Sequence, residues 1–411
     1  MQSALGILVF IAIAWLFSEQ KDKVRLKPIL AGLIIQFIIA FLLLHVSWLK
    51  QAFLLLNNLV LALVTATGEG TKFVFGYLGG ADAPFLNSDS GSSFILAFQA
   101  LPLILVVSAV SAVLFYWRIL PFIVKLFSRL LQHTMGLSGS VSLGCAVNIF
   151  IGMVEAPLII REYLQQLSRS ELFILMTTGM ATIAGTVMVL YASLLSTVIP
   201  DILGHILIAS IISAPAAILI AQIMVPARTQ SSASNSIEIV IQDRSTMDAI
   251  TRGTMEGVKL LINIIAMLLV LVALVSLVNQ LLAFIPGFDE SLSLQSILGY
   301  MLAPVAWLVG IPWEEAVNAG QLMGIKIVLN EFLAYLQLVQ QPIGALSDSS
   351  KLIMIYALCG FANFGSLGIM IGGLSTMVPQ RRNEIITLGL RSIVSGNLAT
   401  FMTAAVISFI I

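Results

Sequence analysis

Residues 28–45 read PILAGLIIQFIIAFLLLH, 18 positions without one Asp, Glu, Lys or Arg. About 20 apolar residues carry a helix across the hydrocarbon layer of a bilayer. That length rule places membrane spans near 4–17 (at the short limit), 28–49, 93–117, 172–198, 203–226, 260–285, 352–378 and 387–411. The sequence predicts an all-α integral membrane protein with eight transmembrane helices. Composition agrees: 10% of the 411 residues are charged, against about 25% in soluble domains.

Several function classes drop out. Twenty basic residues balance twenty acidic ones, which leaves no net field to attract nucleic acid. Cys145 and Cys359 lie in apolar surroundings and read as packing residues. His45, His133 and His205 are scattered, without the spacing of a metal site. No GxSxG, His pair or paired aspartates occur in the spans, so an intramembrane enzyme lacks its chemistry. Residues 4–17 lack a basic leader and a clear cleavage site, and read as a first span rather than a signal peptide.

Orientation follows from the basic residues in loops. Lys21, Lys23, Arg25 and Lys27 follow the first span; Arg118, Lys125 and Arg129 follow the third. Arg228, Arg244 and Arg252 lie in the polar, Ser-rich stretch 227–256, and Arg381, Arg382 and Arg391 border the last span. The opposite loops, around 66–91, 199–202 and 286–296, hold one basic residue, Lys72. Both termini are therefore expected on the outer side, with 227–256 as the main cytoplasmic segment.

Four apolar stretches do not fit simple spans. Residues 51–65 and 118–133 are amphipathic and read as interfacial helices. Residues 139–166 and 318–341 are each interrupted near the middle, by NIFIGMVEAP and KIVLNEF. Each reads as a re-entrant hairpin of two half-helices. Such breaks are tolerated inside a membrane where the freed backbone lines a cavity or is buried in protein. Each interrupted stretch is followed by a polar break (LSRSE, LSDSSK) and a span with small and polar residues at its centre: ATIAGTV at 181–187, FANFGSLG at 361–368. An odd number of crossings between the two units inverts one relative to the other. Paired, inverted, interrupted segments are the sequence pointer to a transporter's midplane site. Small residues alone would also serve close helix packing. Glu155, Glu331 and Asn363 at corresponding places favour a site.

Three runs, NIFIGMVEAPL (148–158), GIKIVLNEFLAY (324–335) and CGFANFGSLGI (359–369), resemble the concentrative nucleoside transporter family. The pattern GxKxxxNEF is complete in Gly324, Lys326, Asn330, Glu331 and Phe332. The resemblance implies a homotrimer in a bacterial inner membrane, each protomer having eight spans, two re-entrant hairpins and interfacial helices in an inverted repeat. It divides the chain into N-terminal spans, interfacial helices and part of a scaffold (1–135), a first transport repeat (136–226), a linker (227–256), a scaffold span with an interfacial helix (257–317) and a second transport repeat (318–411). It implies a nucleoside site at the hairpin tips, with Glu331, Asn363 and Ser366 on the ribose hydroxyls. A carboxylate suits vicinal hydroxyls, since charge-assisted hydrogen bonds are about twice as strong as neutral ones. Asn363 and Ser366 can also cap broken helix ends. Lys326 and Asn330 are expected in structural roles. Lys326 is read as a structural partner that helps hold the hairpin rather than as a direct ligand; as such it can be an internal counter-ion for Glu331 or snorkel to an interface.

On the base side the family commonly reads G-Q-[TS]-E-A-P. Here the run is Gly152, Met153, Val154, Glu155, Ala156, Pro157. The carboxylate stays, Val187 fits the family's base pocket, and the amide and hydroxyl are replaced by apolar groups. An apolar pocket discriminates far less than one that hydrogen-bonds its ligand, so a broadened or shifted base preference is expected. The resemblance also implies a sodium site from the Asn148 and Thr182 side chains and the Ile151 and Ile183 carbonyls. All-oxygen ligation suits a hard cation. Proton coupling through Glu155 is the alternative, and a carrier of a related polar solute or an ion channel are the other readings.

Overall fold

A computed structural model of the chain describes residues 2–82, 94–153, 155–196, 198–199, 201–227, 243–284 and 293–411, with the backbone alone for residues 27 and 47–57. Among the described residues every regular element is helical. Burial sorts the helices into an inner and an outer set. Arg169–Leu195 and Ile202–Met224 are each 89% buried along their apolar windows and Pro379–Ile410 is 78% buried, whereas Thr246–Leu282 is 6% buried and Pro28–His45 22%. A helix apolar on all sides and buried belongs to a bundle core; one with its apolar surface open faces lipid or another copy.

The core is built around Arg382–Ile410, which packs against Arg169–Ala181, Ile202–Met224 and Asp348–Leu358. Gln2–Leu16 lays the stripe Ser3, Ile7, Phe10 and Ala14 onto it. Ser3 Oγ meets Ser408 Oγ at 2.8 Å, and Phe10 meets the Phe401 ring. Small residues let the inner helices approach: a Cβ on Gly396 would strike the Met180 side chain and backbone.

Both interrupted stretches break where the sequence predicts. Gly139–Asn148 ends before a non-helical tip, and Glu155–Ile159 resumes after it. Trp313–Val328 stops two residues before Glu331–Gln340. The spans that follow are broken too, as Arg169–Ala181 with Gly185–Leu195, and Asp348–Leu358 with Phe364–Met377. Each repeat ties its hairpin to its broken helix through a glutamate. Ser168 caps Arg169–Ala181 in a capping box with Glu171, and Glu171 Oε1 also accepts from Ser138 Oγ at 2.6 Å. In the second repeat Glu315 Oε2 accepts from Ser347 N–H at 3.1 Å and Ser347 Oγ at 3.2 Å.

Several boundaries differ from expectation. Gln2–Leu16 has 15 residues and falls short of the full span length. The stretch expected as an interfacial helix at 51–65 lies within one 29-residue helix, Ser47–Phe75, and Asn58–Gly79 is long and apolar enough to cross a membrane. Leu59, Leu61, Phe73 and Val74 on it are exposed, so this helix presents apolar side chains outward beyond the expected stretch. The span expected from 260 starts at Thr246, where Ser245 accepts from Asp248 N–H as an N-cap, so the end of the expected 227–256 linker is helical. The second hairpin begins at Trp313, after a 115° bend from Leu294–Val309 at Gly310, whose φ of +118° suits glycine. Ile119–Met135 is amphipathic as expected, burying Val124, Ser128, Leu131 and Met135 on one face.

Candidate functional site

The two hairpin tips, the two broken helices and the long helix Thr246–Leu282 enclose a cavity of about 340 Å³, within the usual size of small-molecule sites. Its wall includes Gly152, Met153, Glu155, Val187, Asn330, Glu331, Asn363 and Ser366. Sequence reasoning had singled out every one of these. Val154 lies outside the described residues.

Glu331 opens the second half-helix of its hairpin and is 4% exposed. Its Oε2 accepts from Asn363 Nδ2 at 2.9 Å and its Oε1 from the Tyr191 hydroxyl at 2.5 Å. Asn363 divides its amide between two tasks. The nitrogen holds Glu331, and the oxygen accepts from Ser366 N–H at 2.7 Å as the N-cap of Phe364–Met377. Asn330 caps Glu331–Gln340 in the same way, accepting from Leu333 N–H at 2.9 Å. The asparagines thus satisfy backbone donors that the helix breaks set free.

On the opposite side the first hairpin offers Met153, 8% exposed and packed over Gly179, together with Gly152, whose φ is +130°. Val187 sits beside them, 5% exposed. Behind that tip, outside the cavity wall, Asn148 is fully buried. Its Nδ2 reaches the Leu175 carbonyl at 3.5 Å, and its Oδ1 has no hydrogen-bond partner among the described residues. The Thr182 hydroxyl has two acceptors for its single proton, the Asn148 carbonyl at 3.0 Å and the Thr178 carbonyl at 2.9 Å, and as a donor to either it keeps its lone pairs available. A buried amide oxygen without a donor is costly, and a hard cation would relieve that cost. Ile151 and Ile183 belong to the non-helical segments on either side of this pair.

Lys326 is fully buried. Its ammonium donates to Asn397 Oδ1 at 2.7 Å, Thr400 Oγ1 at 3.0 Å and the Ala357 carbonyl at 3.5 Å, and stands 5.4 Å from the Phe401 ring centroid. The lysine therefore ties the second hairpin to the last helix, and Glu331 is not among its partners. Asn397 in turn donates to the Ala362 carbonyl at 2.9 Å, which extends the tie to the break before Asn363.

The chain matches family models described as the Na+ dependent nucleoside transporter N-terminus over residues 5–78, nucleoside recognition over 97–198, and the Na+ dependent nucleoside transporter C-terminus over 205–408. It is similar to the nucleoside permease NupC of Helicobacter pylori, 36% identical over 98% of this chain and 96% of that one. Among solved structures it resembles CNTnw in an inward-facing substrate-bound state (34% identity, TM-score 0.89, 99% of this chain and 98% of that one). It resembles a doubly substituted variant of CNTnw in an outward-facing state as well (33% identity, TM-score 0.89, 99% and 96%).

The chain belongs to the concentrative nucleoside transporter family.

Within this family frame, four polar cavity residues, Tyr191, Glu256, Lys259 and Asn263, escaped the sequence reading. Tyr191 looks like an ordinary core aromatic, although it lies four residues after Val187 on the same helix face. Lys259 and Asn263, with Glu256, form a polar stripe on Thr246–Leu282 that lines the cavity. The i, i+3, i+7 spacing was visible; placing the span's start at 260 hid it.

Proposed function

We propose that the chain is a secondary active nucleoside importer, a symporter that couples entry of its substrate to a cation gradient, sodium rather than a proton, by alternating access. The observation that carries this reading is the pairing of two features. A buried carboxylate, Glu331, bonded by Asn363, lines the cavity, and Asn148, whose main-chain carbonyl accepts from the Thr182 hydroxyl, has a buried side-chain oxygen without a donor among the described residues. Family membership supplies the substrate class.

In this reading vicinal ribose hydroxyls donate to Glu331, with Asn363 and Ser366 at their side. The base lies toward Gly152, Met153, Val154, Glu155 and Val187. The apolar character of Met153, Val154 and Val187 gives shape without hydrogen-bond readout, so base preference is broadened or shifted. Sodium takes oxygens from Asn148, Thr182, Ile151 and Ile183. The repeats 136–226 and 318–411 form the moving transport domain, with Lys326 and Asn330 holding its second hairpin in shape. Residues 1–135 contribute part of the scaffold of a homotrimer, the helix Thr246–Leu282 and the stretch up to the bend at Gly310 the rest, and the segment before Thr246 links the parts. Both termini lie on the outer side of a bacterial inner membrane.

Uptake of labelled uridine into proteoliposomes, with and without an inward sodium gradient at fixed pH, tests this. Saturable, sodium-dependent uptake supports it. Uptake driven only by external acid transfers coupling to a proton. No uridine uptake under either gradient would mean that Met153 and Val154 have changed the substrate itself.

A further inference from the structure

Tyr191 stands on the helix that starts at the candidate cation site and bonds the candidate sugar carboxylate. Its hydroxyl donates to Glu331 Oε1 at 2.5 Å. Its ring is held against Tyr335, centroids 5.2 Å apart, and Phe332 at 6.1 Å, and the residue is 1% exposed. The helix Gly185–Leu195 begins six residues earlier, about 9 Å along the axis at 1.5 Å per residue. There Gly185 N–H donates to the Phe150 carbonyl at 2.8 Å. Thr182, three residues before, donates to the Asn148 carbonyl at 3.0 Å. One short helix therefore has cation ligands fixed to its start and the sugar carboxylate bonded less than two turns along.

We infer that Tyr191 is a positioning residue through which the affinities for cation and nucleoside are coupled, an inference that rests on the function proposed above. An ionised carboxylate has about four lone-pair sites. Tyr191 and Asn363 occupy one on each oxygen, and the remainder face vicinal hydroxyls. Asn363 holds its place independently of the cation, because its own oxygen is anchored on Ser366 N–H. Tyr191 shares its packing against Tyr335 and Phe332 with the second hairpin, but it is carried on Gly185–Leu195, whose start follows the non-helical segment 182–184. A cation gathering Asn148 Oδ1, Thr182 Oγ1 and the neighbouring carbonyls fixes this segment, and with it the phenol and one oxygen of Glu331. Linkage then requires the nucleoside to raise cation affinity by the same factor.

The test is equilibrium binding of uridine to the purified full-length protein across a sodium series at constant ionic strength, for wild type and Tyr191→Phe. Sodium should raise wild-type affinity by a factor of about 5–150 and that of Tyr191→Phe by about twofold or less. Curves for the variant displaced in parallel, with the wild-type sodium ratio intact, would mean a merely structural role and overturn the inference. A second arm uses wild type alone, with 3′-deoxyuridine, which lacks one hydroxyl that Glu331 would accept from. Coupling that runs through Glu331 should give this analogue a shallower sodium dependence, and equal dependence for both ligands refutes it. Wild-type uridine binding indifferent to sodium would fail before any variant is compared, and would remove the sodium reading together with the coupling.

Discussion

Replacing Glu331 by Gln tests the site by exploiting a constraint in its hydrogen bonds. In the native arrangement Oε1 accepts from Tyr191 and Oε2 from Asn363. Asn363 cannot turn its amide over, because its oxygen is committed to Ser366 N–H at 2.7 Å. A glutamine must therefore present its single oxygen to Asn363 and its NH₂ to Tyr191, whose hydroxyl can rotate and accept. Packing survives, and the buried charge with its desolvation penalty is gone, so the melting temperature should hold or rise. Substrate binding should not survive. Each hydroxyl that donated to the carboxylate loses a bond to a charged group worth about 1.5–3 kcal/mol, equivalent to roughly 10- to 150-fold in affinity. Uridine binding and thermal melting of the same preparation separate the two effects. Uridine affinity within about twofold of wild type, or a collapse in melting temperature, would refute this account of Glu331.

Lys326→Met should lower stability by about 1–3 kcal/mol, read as a lower melting temperature. Thr400 keeps its bond to the Asn397 carbonyl, but Asn397 Oδ1 is left without its 2.7 Å donor; an unshifted melting curve would contradict the tie described above. Met153→Gln combined with Val154→Thr should sharpen selectivity for pyrimidine nucleosides in competition uptake, and an unchanged profile would sink the idea that the base half has been rewritten. Hydrogen bonds from Arg252 at 2.7 and 2.8 Å hold the Asp243 carboxyl below its usual range. A depressed folded value contributes stability above the unfolded carboxyl pKa of about 3.9, lost as pH falls through the folded value. Asp243→Asn should therefore flatten the acid limb of melting temperature against pH, and an unaltered limb would show that this pair does not set it.

The cavity-lining residues were legible in the sequence wherever a polar group interrupted an apolar run. Glu331, Asn330 and Asn363 were legible because a carboxylate or amide in hydrocarbon needs a reason, and the helix breaks fell at the same residues. Partnerships across the chain were not legible. Lys326 and Glu331 are five residues apart in sequence, but they lie on opposite sides of the break at 329–330. The ammonium finds its acceptors 71 and 74 residues away, on the last helix. Tyr191 meets Glu331 across 140 residues, and nothing local marks it out from a packing aromatic. The early start of Thr246–Leu282 was hidden for a different reason. Its first turns are polar, and a hydropathy criterion cannot distinguish a solvated helix start from a loop, although the Ser245 cap with Asp248 N–H was there to be read.

The two repeats divide the work unequally, and the helix breaks account for the division. A broken helix frees carbonyls at the end of its first half and N–H groups at the start of its second. In the second repeat Asn330 and Asn363 use side-chain oxygens to satisfy those N–H groups, and the Asn363 nitrogen this leaves over holds Glu331. In the first repeat no side chain caps Gly185–Leu195. The backbone of the same repeat's hairpin does so instead, through the Phe150 carbonyl on Gly185 N–H, while the amide oxygen of Asn148, two residues before Phe150, is left without a donor among the described residues. A cap supplied by side chains builds a surface that recognises hydroxyls. A cap supplied by the hairpin backbone leaves the Asn148 amide oxygen unused, and a hard cation would satisfy it. The same local problem, solved in two ways, underlies the proposed sugar site in one repeat and the proposed cation site in the other.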